Sequence, residues 1–182
     1  MTTLKPYFSL LAVVVVGTLA GCTTAPTKAP DVSDSIRTSL DQAGFTDVSV
    51  SQDGDKGVVT LGGHVAAEAD KAQAVSIASS FAGTQVVANQ IAVLPPGAES
   101  EANRVNTALD KGIESNLIAA LITGKLHDSV KYTVKNHVVT LTGEVDSRPT
   151  RARAERVAAG VPNVQQVVNE LQVKNQKATS SQ

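Results

Sequence analysis

The stretch Val58-Val59-Thr60-Leu61 returns 80 residues later as Val138-Val139-Thr140-Leu141. The offset holds without a gap across residues 58–93 and 138–173, and 13 of the 36 aligned pairs are identical. Self-similarity at a fixed spacing is typical of a duplicated structural unit. The sequence therefore predicts two copies of one module.

Each copy shows the same order of sequence patterns. In the first copy, apolar residues at helical spacing precede Gly44, and alternating residues then flank a turn at Asp53-Gly54. The predicted elements of this copy are a helix ending at Gly44, strands over 48–51 and 58–61 with the second ended by Gly62-Gly63, a helix over 66–81 and a strand over 86–93.

The second copy repeats this order, with a tighter hairpin turn at Lys135-Asn136-His137 and a proline, Pro149, where a helix start tolerates it. Its predicted elements are a helix over 108–123, strands over 130–135 and 138–142, a helix over 150–159 and a strand over 164–173. Three strands with two helices on one face make a two-layer α+β sandwich, so the predicted fold is two tandem αββαβ sandwiches.

The remaining sequence divides around the two copies. Small modules of this length bury little surface alone, so pairing of the two would add to the core. The predicted organisation is a signal peptide over 1–21, a flexible tether over 22–32, the first module over 33–94, a linker over 95–107, the second module over 108–173 and a disordered tail over 174–182.

The N-terminal residues have the pattern of a secretory signal. Lys5 precedes an apolar run over 8–16, which is too short to span a bilayer comfortably. Leu19-Ala20-Gly21-Cys22 resembles the bacterial lipobox, in which cleavage precedes the cysteine and the thiol receives a diacylglyceryl group. Cys22 is the only cysteine in the chain, so no internal disulfide is possible. Lipidation of Cys22 would anchor the protein to a membrane. By resemblance to the sorting rules of Gram-negative lipoproteins, Thr23 in place of Asp favours the outer membrane over the inner one.

Composition and charge narrow the function classes. The chain has no Trp and only three Phe and two Tyr, so no aromatic stripe is available to stack bases, and no nucleic-acid partner is expected. Residues 22–99 carry four Lys and Arg against nine Asp and Glu, whereas residues 100–182 carry eleven against eight. An acidic half joined to a basic half suggests that one of them contacts an anionic surface.

The pattern Val-Val-Thr-Leu-x-Gly-x-Val, an Ala-rich helix and Val-x-x-Val-x-Asn-x-Leu-x-Val resembles the BON domain of bacterial envelope proteins. The second copy carries it over residues 138–145 and 164–173, and the first copy departs from it at Thr84 and Ile91. The resemblance covers residues 33–173, and the whole chain is similar to dual-BON outer-membrane lipoproteins. It implies an αββαβ fold, phospholipid binding, a role in envelope integrity and no catalysis.

No residue pattern suggests an enzyme, a metal site or a cofactor. His64, His127 and His137 lack partners at metal-ligand spacing, and no nucleophile elbow or phosphate loop is present in the sequence. Gly63 and Gly143 are interpreted as positions that need a positive φ. Asn89 and Asn169 are interpreted as bulge residues or as side chains that bond a neighbouring loop.

The most informative surface feature is a basic cluster in the second helix of the second copy, formed by Arg148, Arg151, Arg153 and Arg156. At about 100° per residue, all but Arg153 fall on one side of that helix. The equivalent stretch of the first copy holds Glu68, Asp70 and Lys71, so the fold does not require the arginines. The cluster is either a solvated helix face or a site for anionic phospholipid headgroups, worth about 1 kcal/mol for each residue near such a surface.

A second candidate is the first helix of the second copy, whose apolar residues cover about half of its circumference. They are Ile113, Leu117, Ile118, Leu121 and Ile122. A stripe this wide predicts an additional contact, and packing against the first copy is preferred over a protein or lipid partner.

The leading hypothesis is a non-enzymatic envelope lipoprotein that binds anionic phospholipid. The alternative is a periplasmic module that binds an envelope protein and uses its lipid only as an anchor.

Overall fold

A computed structural model describes residues 28–174, which form two αββαβ domains. The first domain comprises α1 (Ser33–Gln42), β1 (Val48–Asp53), β2 (Val58–Val65), α2 (Glu68–Ala82), β3 (Val86–Asn89) and β4 (Ala92–Val93). The second comprises α3 (Glu99–Thr123), β5 (Val130–Lys135), β6 (Val138–Val145), α4 (Arg148–Ala159), β7 (Gln166–Asn169) and β8 (Gln172–Val173). The predicted fold class, two tandem αββαβ sandwiches, is confirmed. Within residues 28–174, none of the helices has the length and apolar character needed to cross a membrane.

The two sheets have the same topology. β2 lies in the centre, antiparallel to β1 with Val50 opposite Leu61, and parallel to β3 with Val59 opposite Val87. β4 continues along the same side of β2 as β3, so these two short strands act as one interrupted strand. β5, β6, β7 and β8 repeat this arrangement, so each domain presents three strand positions in one layer.

The asparagines mark the interruption in the last strand of each domain. The Oδ1 atom of Asn89 accepts from the backbone N–H of Ile91 at 3.3 Å, and Asn169 accepts from Leu171 at 3.2 Å. A side chain that bonds the backbone two residues on takes the place of a ladder hydrogen bond. The structural interpretation of both asparagines is confirmed.

Each domain has a core of aliphatic residues between its helices and its sheet. In the first domain Ile36 and Leu40 of α1 meet Val59 and Leu61 of β2, and Ala74 lies on the facing side of α2. The second core is larger because α3 contributes three fully buried side chains, Ile113, Leu117 and Leu121. Phe81, near the C-terminal end of α2, is 40% exposed and lies outside this core.

Gly63 and Gly143 lie inside the central strands, with φ of 82° and 118°. A Cβ on Gly143 would stand 2.6 Å from the carbonyl oxygen of Ser129, and one on Gly63 would collide with the carbonyl of Asp47. Their predicted need for a positive φ is confirmed. The prediction that Gly62-Gly63 ends the strand is wrong, because His64 and Val65 pair with β4 and extend β2.

Two predicted segment boundaries also change. Residues 99–107 of the predicted linker belong to α3, which begins at Glu99. No glycine or proline lies between Gly97 and Gly112, and Glu99 and Glu101 suit the positive end of a helix dipole. Residues 29–32 of the predicted tether contact the first domain, for example through the N–H of Ala29, which donates to the carbonyl of Gly54 at 2.8 Å.

The domains pack against each other through equivalent positions. Val58 and Ala88 of the first domain form a buried cluster with Val138 and Val168 of the second, and the repeat offset of 80 aligns these residues in pairs. They lie on the sheet faces that the helices leave open, next to the β3 and β7 edges. Covering part of each open face with the other copy removes apolar surface that neither small domain could bury alone.

Candidate functional site

The predicted basic cluster lies on α4, whose start the local sequence determines. Ser147 is the N-cap, and its hydroxyl oxygen accepts from the N–H of Thr150 at 3.3 Å. Pro149 occupies the first turn, where its missing N–H leaves no intrahelical bond unmade. Ala154 and Ala158 face the core, so the arginines lie on the flanks and outer face of the helix.

Two of the four arginines hold the domain together. The Nη2 atom of Arg151 donates to the carbonyl of Asn169 at 2.8 Å, at the end of β7. The Nη2 atom of Arg153 donates to the carbonyl of Gly124 at 2.8 Å, at the C-terminal end of α3, where the helix dipole favours a cation. These two contacts explain Arg151 and Arg153 without a ligand.

Arg148 and Arg156 are exposed, and their side chains form no hydrogen bond or ion pair with any residue in 28–174. Eight residues separate them, which places them about 80° apart around the helix and about 12 Å apart along its axis. The repeat aligns them with Glu68 and Ser76 in the first domain, so neither arginine is demanded by the fold. The structure thus divides the predicted cluster into two structural residues and two free cations.

The outer face of α3 carries the second predicted feature. Leu117 and Leu121 are buried in the core of the second domain, but Ile118 is 36% exposed and Ile122 is 57% exposed. Packing of the whole stripe against the first copy, which the sequence favoured, is wrong for these two isoleucines. The first domain packs on the open sheet face of the second and, through β4, beside the N-terminal half of α3, away from these two residues near the C-terminal end of that helix.

A groove of about 590 Å³ lies between α3 and α4. Its lining is mostly apolar, with Ala119 and Ala120 on one side and Val157 and Val161 on the other, and Arg156 lies at its rim. Ile122 therefore stands on a helix surface next to a groove that has one of the free arginines at its edge. Aliphatic surface with a nearby cation suits an anionic amphiphile.

The other candidate residues are separate from this surface. Cys22, the predicted lipidation position, lies outside the described residues. Within 28–174, no group of three or more His, Cys, Asp and Glu residues could hold a metal ion. His137 lies at the β5–β6 turn with a buried Nε2 atom that has no partner in the described part of the chain, near the buried Lys71 across the domain interface.

Two regions of the chain, residues 29–95 and 109–175, each match the BON domain. The chain belongs to the BON domain family. The resemblance to the BON domain is confirmed, and each match falls on one of the two folded domains, the second beginning inside α3.

One relative and two solved structures are similar to this tandem BON protein. Osmotically-inducible protein Y of Escherichia coli strain K12 is 35% identical over 130 residues, which are 71% of this chain and 63% of that protein. The chain thus spans less than two thirds of that relative. CdsD, a structural protein of the type III secretion system of Chlamydia trachomatis, is 12% identical over 80% of this chain and 93% of that chain, with a TM-score of 0.35. The C-terminal domain of CdsD gives 12% identity, coverage of 78% and 67%, and a TM-score of 0.33.

Sequence reasoning missed the residues that join the two BON domains. Gln166 and Lys56 both contact the opposite domain, yet neither belongs to a motif. Asp110 of α3 was missed as well, although its carboxylate accepts from the N–H groups of Asn136 and His137, each at 2.8 Å. The sequence signal that could have drawn attention to this turn is Asn136 in a two-residue hairpin loop, because such turns need a positive φ. The structure has φ of 47° at Asn136 and 65° at His137.

Proposed function

We propose that this chain is a non-enzymatic envelope lipoprotein that binds anionic phospholipid through its second BON domain and supports outer-membrane integrity. The observation that carries the proposal is the pair of free cations, Arg148 and Arg156, on the outer face of α4. No side-chain contact within residues 28–174 explains these two exposed arginines, whereas an anionic surface attracts each of them by about 1 kcal/mol. A planar guanidinium also fits a phosphate with two parallel hydrogen bonds.

The neighbouring apolar residues add to this interaction. Ile118 and Ile122 are exposed on α3, and the groove between α3 and α4 is lined mainly by aliphatic side chains. Transfer of an isoleucine side chain from water to an apolar region is worth about 1.5–3 kcal/mol when burial is complete. A surface that combines free cations with exposed isoleucines therefore suits the interface between headgroups and acyl chains.

Anchoring is the second part of the proposal. The lipobox-like Leu19-Ala20-Gly21-Cys22 supports acylation of Cys22, and several acyl chains at about 0.8 kcal/mol per buried methylene hold a protein stably on a membrane. Thr23 after the cysteine supports the periplasmic face of the outer membrane. The name of the Escherichia coli relative, which describes induction by osmotic conditions, supports a role when the envelope is under stress.

Vesicle sedimentation tests the proposal. The 23–182 fragment is mixed with vesicles of phosphatidylcholine alone or with added phosphatidylglycerol, as wild type and as Arg148→Glu/Arg156→Glu. The matched control is Lys131→Glu/Lys135→Glu, which makes the same charge change at exposed positions of β5. We expect binding only to the phosphatidylglycerol vesicles, lost in the arginine variant and retained in the lysine variant. Equal loss in both variants would show that overall charge, not this helix face, governs binding.

A protein-binding module is the second candidate, and the exposure of Ile122 is the observation that favours it. Solvent-exposed isoleucines beside a groove are also typical of a surface that packs against another protein. A photo-crosslinking amino acid in place of Ile122, compared with one in place of Lys131, distinguishes the two functions in intact cells. One discrete crosslinked protein at position 122 supports the second candidate, and crosslinks to phospholipid support the first.

A further inference from the structure

The N-terminal residues of the described chain are attached to the tip of the β1–β2 hairpin. The N–H of Ala29 donates to the carbonyl of Gly54 at 2.8 Å, and the carbonyl of Pro30 accepts from the Nε2 atom of Gln52 at 2.7 Å. Gln85, at the start of β3, donates to the same carbonyl at 3.1 Å. Three hydrogen bonds therefore fix where the polypeptide leading back toward Cys22 leaves the first domain.

This hairpin tip touches the second domain beside the middle of its sheet, between β7 and β8, where the N–H of Glu170 donates to the carbonyl of Leu141. The Nζ atom of Lys56 lies 2.6 Å from the Oε2 atom of Glu170, directly after β7. The hydrogen bond that Lys56 donates to Glu170 raises the pKa of Lys56, and only 12% of the Glu170 side chain is exposed. At the other end of the interface the Nδ2 atom of Asn136 donates to the carbonyl of Gln90 at 2.6 Å, so β3 and β7 run in opposite directions.

The end of β7 in turn meets the first turns of α4. Asn169 accepts from the guanidinium of Arg151 at 2.8 Å, and its Nδ2 atom donates to the carbonyl of Arg151 at 3.3 Å. The C-terminal end of α3 reaches the same region, because Arg153 bonds Gly124 and because Val130, shortly after α3, pairs with Gly143 near the end of β6. Arg148 and Ile122 are therefore at the same end of the molecule as the hairpin tip.

The chain between the anchor and this end is short. Lys28 is six residues after Cys22, and six residues span at most about 20 Å when fully extended. The β5–β6 turn, which includes Asn136, contacts Gln90, four residues after the start of β3 at Val86, and is therefore roughly 13 Å further along the interface than the hairpin tip. An acyl group on Cys22 therefore keeps the hairpin tip within about 20 Å of the bilayer while the hydrogen bonds of Ala29 and Pro30 remain, and the tip lies closer to the attachment point than the β5–β6 turn does.

From this geometry we infer that the end of the molecule formed by the β1–β2 tip, the first turn of α4 and the last turn of α3 is its membrane-facing surface. The partner is the lipid surface that carries the anchor itself, and the inference rests on the proposed acylation of Cys22. Because the contact between the domains is fixed, the position of the anchor also determines which side of the second BON domain lies nearest the membrane. Arg148 and Ile122 then face the headgroups of the membrane that carries the anchor, so their contact with lipid needs no second, independent binding event.

Tryptophan fluorescence tests this orientation, because the natural chain has no Trp. Single-Trp variants of the full chain are made at Asp55 and Glu144, near the proposed membrane-facing end, and at Lys135, at the far end; all three positions are exposed. The protein is expressed with its signal segment, purified in detergent and reconstituted into vesicles containing brominated phosphatidylcholine and phosphatidylglycerol. Mass spectrometry of each preparation reports the mass of the Cys22 acyl groups.

We expect bromine to quench Asp55→Trp and Glu144→Trp several-fold more strongly than Lys135→Trp. Equal quenching at all three positions, or strongest quenching at Lys135→Trp, would overturn the inference while leaving the vesicle-binding result for Arg148 and Arg156 untouched. An unmodified Cys22 would overturn both the anchor and this orientation. Two near-end variants keep the test decisive if one of them fails to fold.

Tether length provides an independent measurement. A long Gly-Ser insert between Thr27 and Lys28 removes the distance limit but changes neither domain. In acylated protein on neutral vesicles, the insert should reduce quenching of Asp55→Trp several-fold, because only the short tether then holds this end at the surface. Unchanged quenching after the insert would contradict the role given to the tether.

Discussion

Gln166 of the second domain bonds directly to Asn89 of the first: its Oε1 atom accepts from the Asn89 N–H at 2.9 Å. The same side chain donates through Nε2 to the carbonyl of Val87 at 2.7 Å, so one glutamine occupies two backbone groups on the edge of β3. The repeat aligns Gln166 with Val86, which cannot form these bonds. Only the second domain therefore contributes such a glutamine to the interface, whereas the buried cluster beside it is built from equivalent residues of both domains.

Replacing Gln166 tests how firmly the domains are joined. Gln166→Ala leaves an N–H and a carbonyl of β3 without their partners, and an unsatisfied group at a largely buried position costs about 1–3 kcal/mol. We expect a lower urea midpoint and separation of one unfolding transition into two. Gln172→Ala, at an exposed position of β8, is the control and should unfold as wild type does. A Gln166→Ala protein with an unchanged midpoint would show that the remaining contacts, namely the buried apolar cluster, the Lys56–Glu170 ion pair and the Asn136–Gln90 hydrogen bond, hold the interface without it.

The glycines in the central strands give a second prediction. Gly63→Ala and Gly143→Ala each place a Cβ against a carbonyl oxygen in a backbone conformation that L-residues rarely adopt. Each should lower the free energy of unfolding by more than about 2 kcal/mol in urea titrations. Gly112→Ala is the matched control, because nothing lies within 4 Å of its added Cβ in the middle of α3. That change should stabilise the protein by about 0.5–1 kcal/mol, and a loss at Gly112 equal to that at Gly63 would contradict the steric argument.

The repeat explains why the fold could be predicted from sequence. Short-range patterns determine each element, and the 80-residue offset supplies every element twice, so an ambiguous pattern in one copy is resolved by the other. Pro149 and the two strand glycines also act locally, through a missing N–H and a positive φ, which is why their roles were predicted correctly.

Features that depend on contacts between distant residues could not be predicted in this way. The start of α3 at Glu99 was missed because the exposed first turns of that helix show little apolar periodicity. Ile118 was assigned to a domain contact because periodicity reveals an apolar face but not what covers it. The division of the arginines depends on Asn169 and Gly124, which approach α4 only in the folded protein.

The different contacts of Arg153 and Arg148 give a third prediction, which concerns stability and vesicle binding. Arg153→Ala removes the bond to Gly124 and a cation from the C-terminal end of α3, and should cost about 1 kcal/mol of stability. Arg148→Ala removes no contact within residues 28–174 and should change stability by less than about 0.5 kcal/mol. In vesicle sedimentation Arg148→Ala should bind phosphatidylglycerol vesicles about fivefold more weakly, as loss of about 1 kcal/mol implies. Equal thermal midpoints for the two variants would contradict the structural role of Arg153.

The β1–β2 turn gives a pH-dependent prediction. The Oδ1 atom of Asp53 accepts from the N–H groups of Asp55 and Lys56, each at 3.1 Å, and its Oδ2 atom lies 3.3 Å from the ammonium of Lys56. The backbone hydrogen bond from Lys56 is the main cause that lowers the pKa of Asp53 below its ordinary value. These bonds favour the ionised carboxylate in the folded protein, so their contribution to stability is complete above the ordinary pKa of about 4. It is lost as the pH falls through the lower pKa of the folded state.

Asp53→Asn should therefore destabilise the protein at pH 7 and have no effect near pH 2. Because 43% of the Asp53 side chain is exposed, solvent screening limits the difference at pH 7 to less than about 1 kcal/mol. Urea midpoints of wild type and variant, measured from pH 7 downward, should converge only below pH 4. Asp55→Asn is the control, since the Asp55 carboxylate accepts no hydrogen bond from any residue in the described part of the chain, and its midpoint should follow wild type at every pH. A constant gap between Asp53→Asn and wild type across the pH range would mean that the amide disturbs the turn by its shape rather than by loss of charge.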